Sequence, residues 1–266
     1  MPEGDTILRA ARTLHRVLAG RTVTAFVSPL HRVEAAARRH ALVGSRIEGV
    51  EARGKHLLLR FSRGVSLHTH QAMTGSWHLY RSGSRWRKPF HEMRARIDAG
   101  DVTAVCFLSP IVETLTAEEE ARHPSLSTLG PDLLDDGFDE DEARLRLRRR
   151  VDAAIGVALM EQGALAGIGN VYKSEVLFLC GVDPFTLVAS LDDATLDRLI
   201  RTARVQMSRN IGGGTRRTTS TLAEAPLWVY RRSGLPCRRC GTLVRQRRQG
   251  EAGRSTYWCS RCQPSL

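Results

Sequence analysis

A chain of 266 residues has room for one large domain or two to three small ones with real cores, and its composition excludes general disorder. Forty Lys and Arg face 28 Asp and Glu, a net charge of +12 that points to a polyanionic partner, nucleic acid first. No apolar run is long enough to cross a bilayer and the N-terminus lacks the layout of a signal peptide, so a soluble, cytosolic protein with no membrane partner is expected.

The chain starts MPEGDT, with Pro2 beside Glu3. Removal of Met1, which the small Pro2 permits, would leave a secondary amine on a rigid ring next to a carboxylate. That is either a nucleophile with a proton carrier or simply an end that resists proteolysis. Asp5 or Thr6 is expected to cap a helix through ILRAARTLHRVL, whose Ile7, Ala11, Leu14 and Leu18 share one face, and Gly20 is placed to end it. From about Thr22 to Leu115 the pattern changes to short alternating or β-branched runs, TVTAFV, RIEGVEA, HLLLRF, VSLHTH, SWHLY, MRARIDA and VTAVCFL, separated by turn residues. This is an antiparallel β domain, a sandwich or flattened barrel. Lys55 follows Gly54 at a hairpin tip, by default an exposed turn lysine. It is one of only three lysines, with Lys88 and Lys173; arginine carries the rest of the basic charge and suits bidentate phosphate contacts.

The stretch 116–137, with two prolines and an acidic cluster, reads as an interdomain connection. Seven acidic residues from Asp132 to Glu142 precede Arg144, Arg146 and Arg148 to Arg150, the order that suits the macrodipole of a solvated helix. Helical periodicity then runs through VDAAIGVALMEQ, NVYKSEVLFLC and TLDRLIRTARVQMSRNI, an all-helical domain over about 138–212, and GGGTRRTTS is a flexible basic loop. In GALAGIGNVYKSEVLF, Gly167 and Gly169 permit a tight turn and Asn170 is a good helix N-cap, leaving free N–H groups as an anion site. A plain helical hairpin explains the same residues.

Cys106 and Cys180 sit in apolar surroundings and read as buried thiols. Cys237-Arg-Arg-Cys240 and Cys259-Ser-Arg-Cys262, with 18 residues between them, fit the spacing of a four-cysteine zinc site. Four thiolates complete a tetrahedron with no open position, so the Zn2+ is expected to be single and structural. TLVRQRR and RSTYWC alternate like two strands with QGEAG as their turn, a zinc-clasped hairpin. From Leu227 to Leu266 nine arginines oppose Glu251 alone, which points at phosphates; a ribbon that docks on protein is the alternative.

Four motifs in order, Pro-Glu-Gly at the start, Gly-Lys-His before a strand, GIGNVYKSE, and GRSTYWCSRCQ at the end, resemble the formamidopyrimidine-DNA glycosylase and endonuclease VIII family of base-excision repair enzymes over essentially the whole chain. The resemblance implies an α+β multidomain fold: an N-terminal helix plus antiparallel β-sandwich over 1–115, a linker over 116–137, a helix-two-turn-helix DNA-binding domain over 138–222 and a zinc finger over 223–266. It implies a bifunctional DNA glycosylase and AP lyase with Pro2 as nucleophile and Glu3 as acid/base. Lys55 becomes the hairpin lysine of the catalytic site and Arg254 the zinc-hairpin arginine on the phosphates flanking the lesion. Gly169, Asn170, Tyr172 and Glu175 become DNA-binding residues, Asn170 as a phosphate ligand. Met73 aligns with the residue the family inserts into the duplex, where a flexible apolar wedge fits; its alternative is core filler in a β-turn.

The chemistry follows from the amine. An α-amino group titrates near about 8, so an appreciable fraction is unprotonated at neutral pH and able to attack C1′ of a damaged nucleotide. A secondary amine yields an iminium that stays cationic, acidifies the C2′ protons and permits elimination of the 3′ and then the 5′ phosphate, with Glu3 shuttling protons. The PEGDT start and FLSPIVETLTAEEEARHPSLSTLGPDLL are closer to endonuclease VIII than to its purine-directed sister, whose arginine-phenylalanine pair after the corresponding strand is missing. Oxidised pyrimidines are therefore the expected lesions. The implied partner is damaged DNA, as duplex, bubble or single strand, met by a monomer at the nucleoid. A noncatalytic damaged-DNA-binding protein on the same scaffold is the alternative; a zinc-ribbon factor for RNA or transcription proteins would leave Pro2, Glu3 and Lys55 without roles.

Overall fold

The computed structural model describes residues 2–220 and 225–265 and separates into two compact units, Met1–Ser127 and Thr128–Leu266. Met1 itself and the domain boundary expected at 222/223 lie outside the described residues.

The first unit opens with α1 (Gly4–Leu18), whose Ile7, Ala11, Leu14 and Leu18 are buried along one face as the periodicity requires. Its start corrects the expected cap. Glu3, extended at φ −127°, is the N-cap, and its carbonyl accepts the N–H groups of Thr6 at 2.9 Å and Ile7 at 3.1 Å. Pro2 thus stands one residue outside the helix. After β1 (Ala25–Val27) the chain forms α2 (His31–Arg39), which the β-rich reading of this region missed; HRVEAAARR is alanine-rich and carries a Glu34–Arg38 pair at 3.1 Å one turn apart. The strands β2 (Ile47–Arg53), β3 (His56–Phe61), β4 (Val65–His70), β5 (Ser76–Arg81), β6 (Met93–Ala99) and β7 (Val102–Phe107) coincide with the alternating runs, and β8 (Ile111–Thr116) is one more. They form two four-stranded antiparallel sheets, ordered β2-β3-β4-β8 and β1-β6-β7-β5. One core joins them: Leu57, Leu59 and Leu67 from the first sheet, Ile97, Ala104 and Cys106 from the second, and the apolar face of α1. The short α3 (Ala117–Ala121) follows, its first turn closed by a capping box between Thr116 and Glu119.

The second unit holds α4 (Glu140–Arg148), with Asp139 capping it through Glu142 N–H at 2.9 Å and acidic and basic residues at the expected ends. VDAAIGVALM contracts to a single turn, α5 (Ile155–Ala158), rather than the longer helix its periodicity suggests. Gly156 lies so close to its surroundings that a Cβ there would stand 2.5 Å from Gln249 and 2.9 Å from the Pro184 carbonyl. The longer helices α6 (Asn170–Cys180) and α7 (Asp193–Arg209) build a core from Tyr172, Val176, Leu177, Leu196, Leu199 and Ile200. The C-terminal part folds as the hairpin β9 (Arg245–Gln249) and β10 (Arg254–Trp258).

Candidate active site and nucleic-acid interface

In the first unit, Glu3 is fully buried (0% exposed) and bonded through its carbonyl to the first turn of α1, and Pro2 just before it is half-buried. Lys55 lies in the two-residue turn that joins β2 to β3, where Arg53 pairs with His56. Gly54 takes φ +58°, the first position of a II′-type connection that glycine adopts without strain. The hairpin is pinned from α3: Glu120 accepts from Arg53, next to the turn, at 2.9 Å and from Arg60, farther along β3, at 3.0 Å.

Met73 sits in the turn between β4 and β5 and is 58% exposed, which rules out core filler. Gly75 N–H closes the turn on the Gln71 carbonyl at 2.8 Å, and a Cβ on Gly75 would lie 2.6 Å from that oxygen and from Ser109 Oγ. Only glycine fits, and the tightness of the turn pushes Met73 outward. Thr74 Oγ1 reaches the carbonyl of Leu108 at 3.4 Å, so this turn leans on the β7–β8 connection, Leu108-Ser109-Pro110.

Behind the Lys55 hairpin lies a cluster that sequence reasoning missed. His56 Nδ1 is 2.8 Å from His68 Nε2, His68 Nδ1 is 2.8 Å from Glu113 Oε1, and His123 Nε2 is 2.9 Å from the same oxygen. The His70 ring lies 4.9 Å from that of His56, tilted by 52°. Burial, with the positive potential of His68, His70, His123 and Arg53, drives His56 down to about 3. Burial first, then Lys55 and His68, lowers His70; the hydrogen bond from His68 lowers Glu113. His68, Glu113 and His123 have the ligand types of a metal site, with donor atoms within 4.8 Å. Against that, Ser125 N–H donates to His123 Nδ1 at 3.2 Å, which leaves the ring proton on Nε2, aimed at Glu113. A metal on Nε2 would set Nδ1–H against another donor. The cluster is therefore a hydrogen-bonded chain. Its only trace in the sequence is four histidines on β3, β4 and the segment after α3, which pairing alone brings together.

In the second unit, Gly167 takes φ +97° in the turn before α6, as expected, but the N-cap is Gly169, extended at φ −133°, and not Asn170. Lys173 N–H closes the first turn on the Gly169 carbonyl at 2.8 Å, while Asn170 Nδ2 donates to the Ser255 carbonyl at 2.8 Å, tying the helix start to β10. The Asn170 amide oxygen is buried and has no hydrogen-bond partner among the described residues. Tyr172 and Glu175, expected among the DNA-binding residues, are 0% exposed. Arg216 lies over the Tyr172 ring at 4.9 Å. Glu175 accepts the backbone N–H groups of Trp228 at 2.8 Å, Val229 at 2.9 Å and Tyr230 at 2.8 Å, and the Thr218 hydroxyl as well. Burial pushes its carboxyl up while these four donors pull the other way. It ties α6 to the segment that leads into the cysteine hairpin.

Cys237 and Cys262 place their sulfurs 3.9 Å apart and Cys240 and Cys259 3.4 Å apart, all four within 4.8 Å. Zinc–sulfur bonds of about 2.3 Å put tetrahedral sulfurs about 3.8 Å apart, so the four residues fit one Zn2+, which would clamp the two knuckles and supply no open position for reaction. Arg254 is exposed at the start of β10, and Arg245, Arg247 and Arg248 are exposed on β9. Among the described residues no helix is long and apolar enough to cross a membrane.

Three family models match the chain in succession: the formamidopyrimidine-DNA glycosylase N-terminal domain over residues 1–110, the H2TH domain of the same enzymes over 129–221, and a zinc finger found in FPG and IleRS over 234–264. A protein named probable endonuclease 8 2 from Streptomyces coelicolor is 42% identical, over 99% of this chain and 94% of its own length. The DNA-(apurinic or apyrimidinic site) lyase Nei2 of Mycolicibacterium smegmatis is 36% identical over 99% of both chains. Endonuclease 8 of Escherichia coli is 30% identical over 99% of this chain and all of its own. The fold is that of Lactococcus lactis Fpg, solved in complex with DNA containing an abasic site, at a TM-score of 0.82 and 24% identity over 99% and 100% of the two chains.

Proposed function

This chain belongs to the formamidopyrimidine-DNA glycosylase and endonuclease 8 family, and from that premise we propose that it is a bifunctional DNA glycosylase and AP lyase acting on oxidised pyrimidines in DNA. The observation that carries the reading is Glu3, fully buried at the N-cap of α1 and next in the chain to Pro2, which supports a proton carrier adjoining the proline. With Met1 removed, Pro2 nitrogen attacks C1′, the base leaves, and an iminium forms between enzyme and sugar. That cation acidifies C2′, and loss of the 3′ and then the 5′ phosphate releases the sugar. Glu3 delivers a proton to the opening sugar and takes one back.

Lys55 at its hairpin tip, Asn170 at the start of α6 and exposed Arg254 at the start of β10 supply cationic and amide donors for phosphates flanking the lesion. Exposed Met73 fills the gap left by the extruded nucleotide. Gly169, Tyr172 and Glu175 support Asn170 from within. The Leu-Ser-Pro connection after β7 favours pyrimidine lesions over 8-oxoguanine. The working division is a catalytic segment 1–115, a linker 116–137, a DNA-gripping segment 138–222 and a zinc finger 223–266, in a monomer at the bacterial nucleoid. Borohydride is expected to trap a covalent complex with DNA carrying an abasic site or 5-hydroxyuracil, and Pro2→Gly, which leaves only a primary amine, to weaken trapping by about tenfold or more while leaving the circular dichroism spectrum intact. No adduct with protein shown by mass spectrometry to lack Met1 would leave the noncatalytic DNA-binding reading in its place.

A further inference from the structure

The connection between β5 and β6, residues 82–92, has no part in the site described above, yet it is ordered and chemically distinctive. Trp86 anchors it to the outer face of the second sheet, edge-on to Phe107 at 5.7 Å, and Tyr80 Oη accepts the Arg87 backbone N–H at 3.1 Å. On the solvent side Phe90 stacks on Trp86, 5.5 Å between centroids and 9° between planes. Phe90 is 68% exposed, so the stack ends in open aromatic surface. Around it stand Arg85 and Arg87, both exposed, and Lys88, against one acid, Glu92, 4.0 Å from Lys88.

Phe90 leaves an open ring face at the end of the stack, and the flanking positive charge favours an anionic partner over it. Bases inside a duplex have both faces occupied by their neighbours. An unpaired base has a free face, and aromatic side chains interleaved with arginines are the general means of holding single strands. We propose that this loop is a second DNA contact, a platform on which an unpaired base of single-stranded DNA stacks against Phe90 while Arg85 and Arg87 take the adjoining phosphates. It lies at the far end of β5 from the Met73 turn, about 17 Å along the strand at about 3.3 Å per residue, outside the lesion site but within reach of the same DNA strand. The inference rests on the DNA reading above and deepens it, by naming the strand form the protein favours.

The test is fluorescence anisotropy with a lesion-free 20-nucleotide oligo-dT and a lesion-free duplex of equal length. Phe90→Ala is expected to weaken oligo-dT binding about tenfold and duplex binding less than twofold, with Phe90→Tyr close to wild type. The Arg85→Ala/Arg87→Ala double variant is expected to flatten the oligo-dT salt slope by about 1.4, at about 0.7 per single-strand phosphate. Unchanged oligo-dT binding by Phe90→Ala overturns the proposal and points to a protein-docking patch; equal losses on both DNAs overturn it too. Borohydride trapping on abasic duplex separates the two readings. Trapping with unaltered oligo-dT binding sinks this inference alone, whereas no trapping with a selective oligo-dT loss sinks the catalytic reading and leaves the platform standing.

Discussion

Glu175 is a carboxylate with no path to water, and its four hydrogen-bond donors explain how it is kept there. In sequence it is one more letter of a motif; only the fold reveals that it serves the chain's own backbone. His56 raises the same issue with opposite charge. Its pKa is about 3 in the folded protein and about 6.5 unfolded, so below pH 6.5 the unfolded chain takes up a proton that the native state refuses. Stability is therefore full above pH 6.5 and falls as the pH drops toward 3, by up to about 1.4 kcal/mol per unit. His70, lowered as well, adds a loss of the same sign. Urea unfolding is expected to show a drop of about 2 kcal/mol between pH 6.5 and 5, and a shallower drop for His56→Leu, which has nothing to protonate at that position.

Among the elements, those with local determinants matched expectation. The alternating runs became β1 to β7, and the two Cys-x-x-Cys pairs closed around a hairpin with Gly250 and Gly253 at positive φ in its turn. The misses are of two kinds, a local helical signal passed over and local patterns whose ends the fold reset. α2 carries an alanine-rich, i,i+4-paired helical signature inside a β-rich stretch, α5 is a single turn where Gly156 packs closely on Gln249 and Pro184, and both caps lie nearer the N-terminus than expected, at Glu3 rather than Asp5 or Thr6 and at Gly169 rather than Asn170. The β9–β10 hairpin has a small core, Phe178, Val229, Cys237, Val244 and Cys259, too little apolar surface to hold two strands unaided. Removing Zn2+ with a strong chelator, or the Cys259→Ser change, is expected to abolish one-to-one zinc by atomic emission. Hydrogen-exchange protection over 237–262 should be lost with it, while the strands of the first unit keep theirs.

At the scale of the whole molecule, the charge of +12 is unevenly distributed, with nine arginines against one glutamate in the last forty residues. Such a surface binds a polyanion largely through counterion release. Binding to lesion-free duplex is expected to show a slope steeper than about −4 in log K against log salt. Arg254→Ala, an exposed residue at the start of β10, is expected to flatten that slope by about 1 and to weaken all DNA sequences alike, read by anisotropy across a salt series.

Chain order and composition by themselves determined the family, the sheet-forming runs, the cysteine ligands and the preference for a polyanion, because each rests on local spacing or on summed charge. The tertiary structure alone decided which motif residues face water and which serve the interior. Met73 is driven outward by the tightness of the Gly75 turn, Glu175 is drawn inward by backbone donors 53 to 55 residues away, and four scattered histidines meet behind Lys55. Hydrogen-bond partners so distant along the chain leave no periodic trace in it, and burial is fixed only when the sheets and helices close on one another.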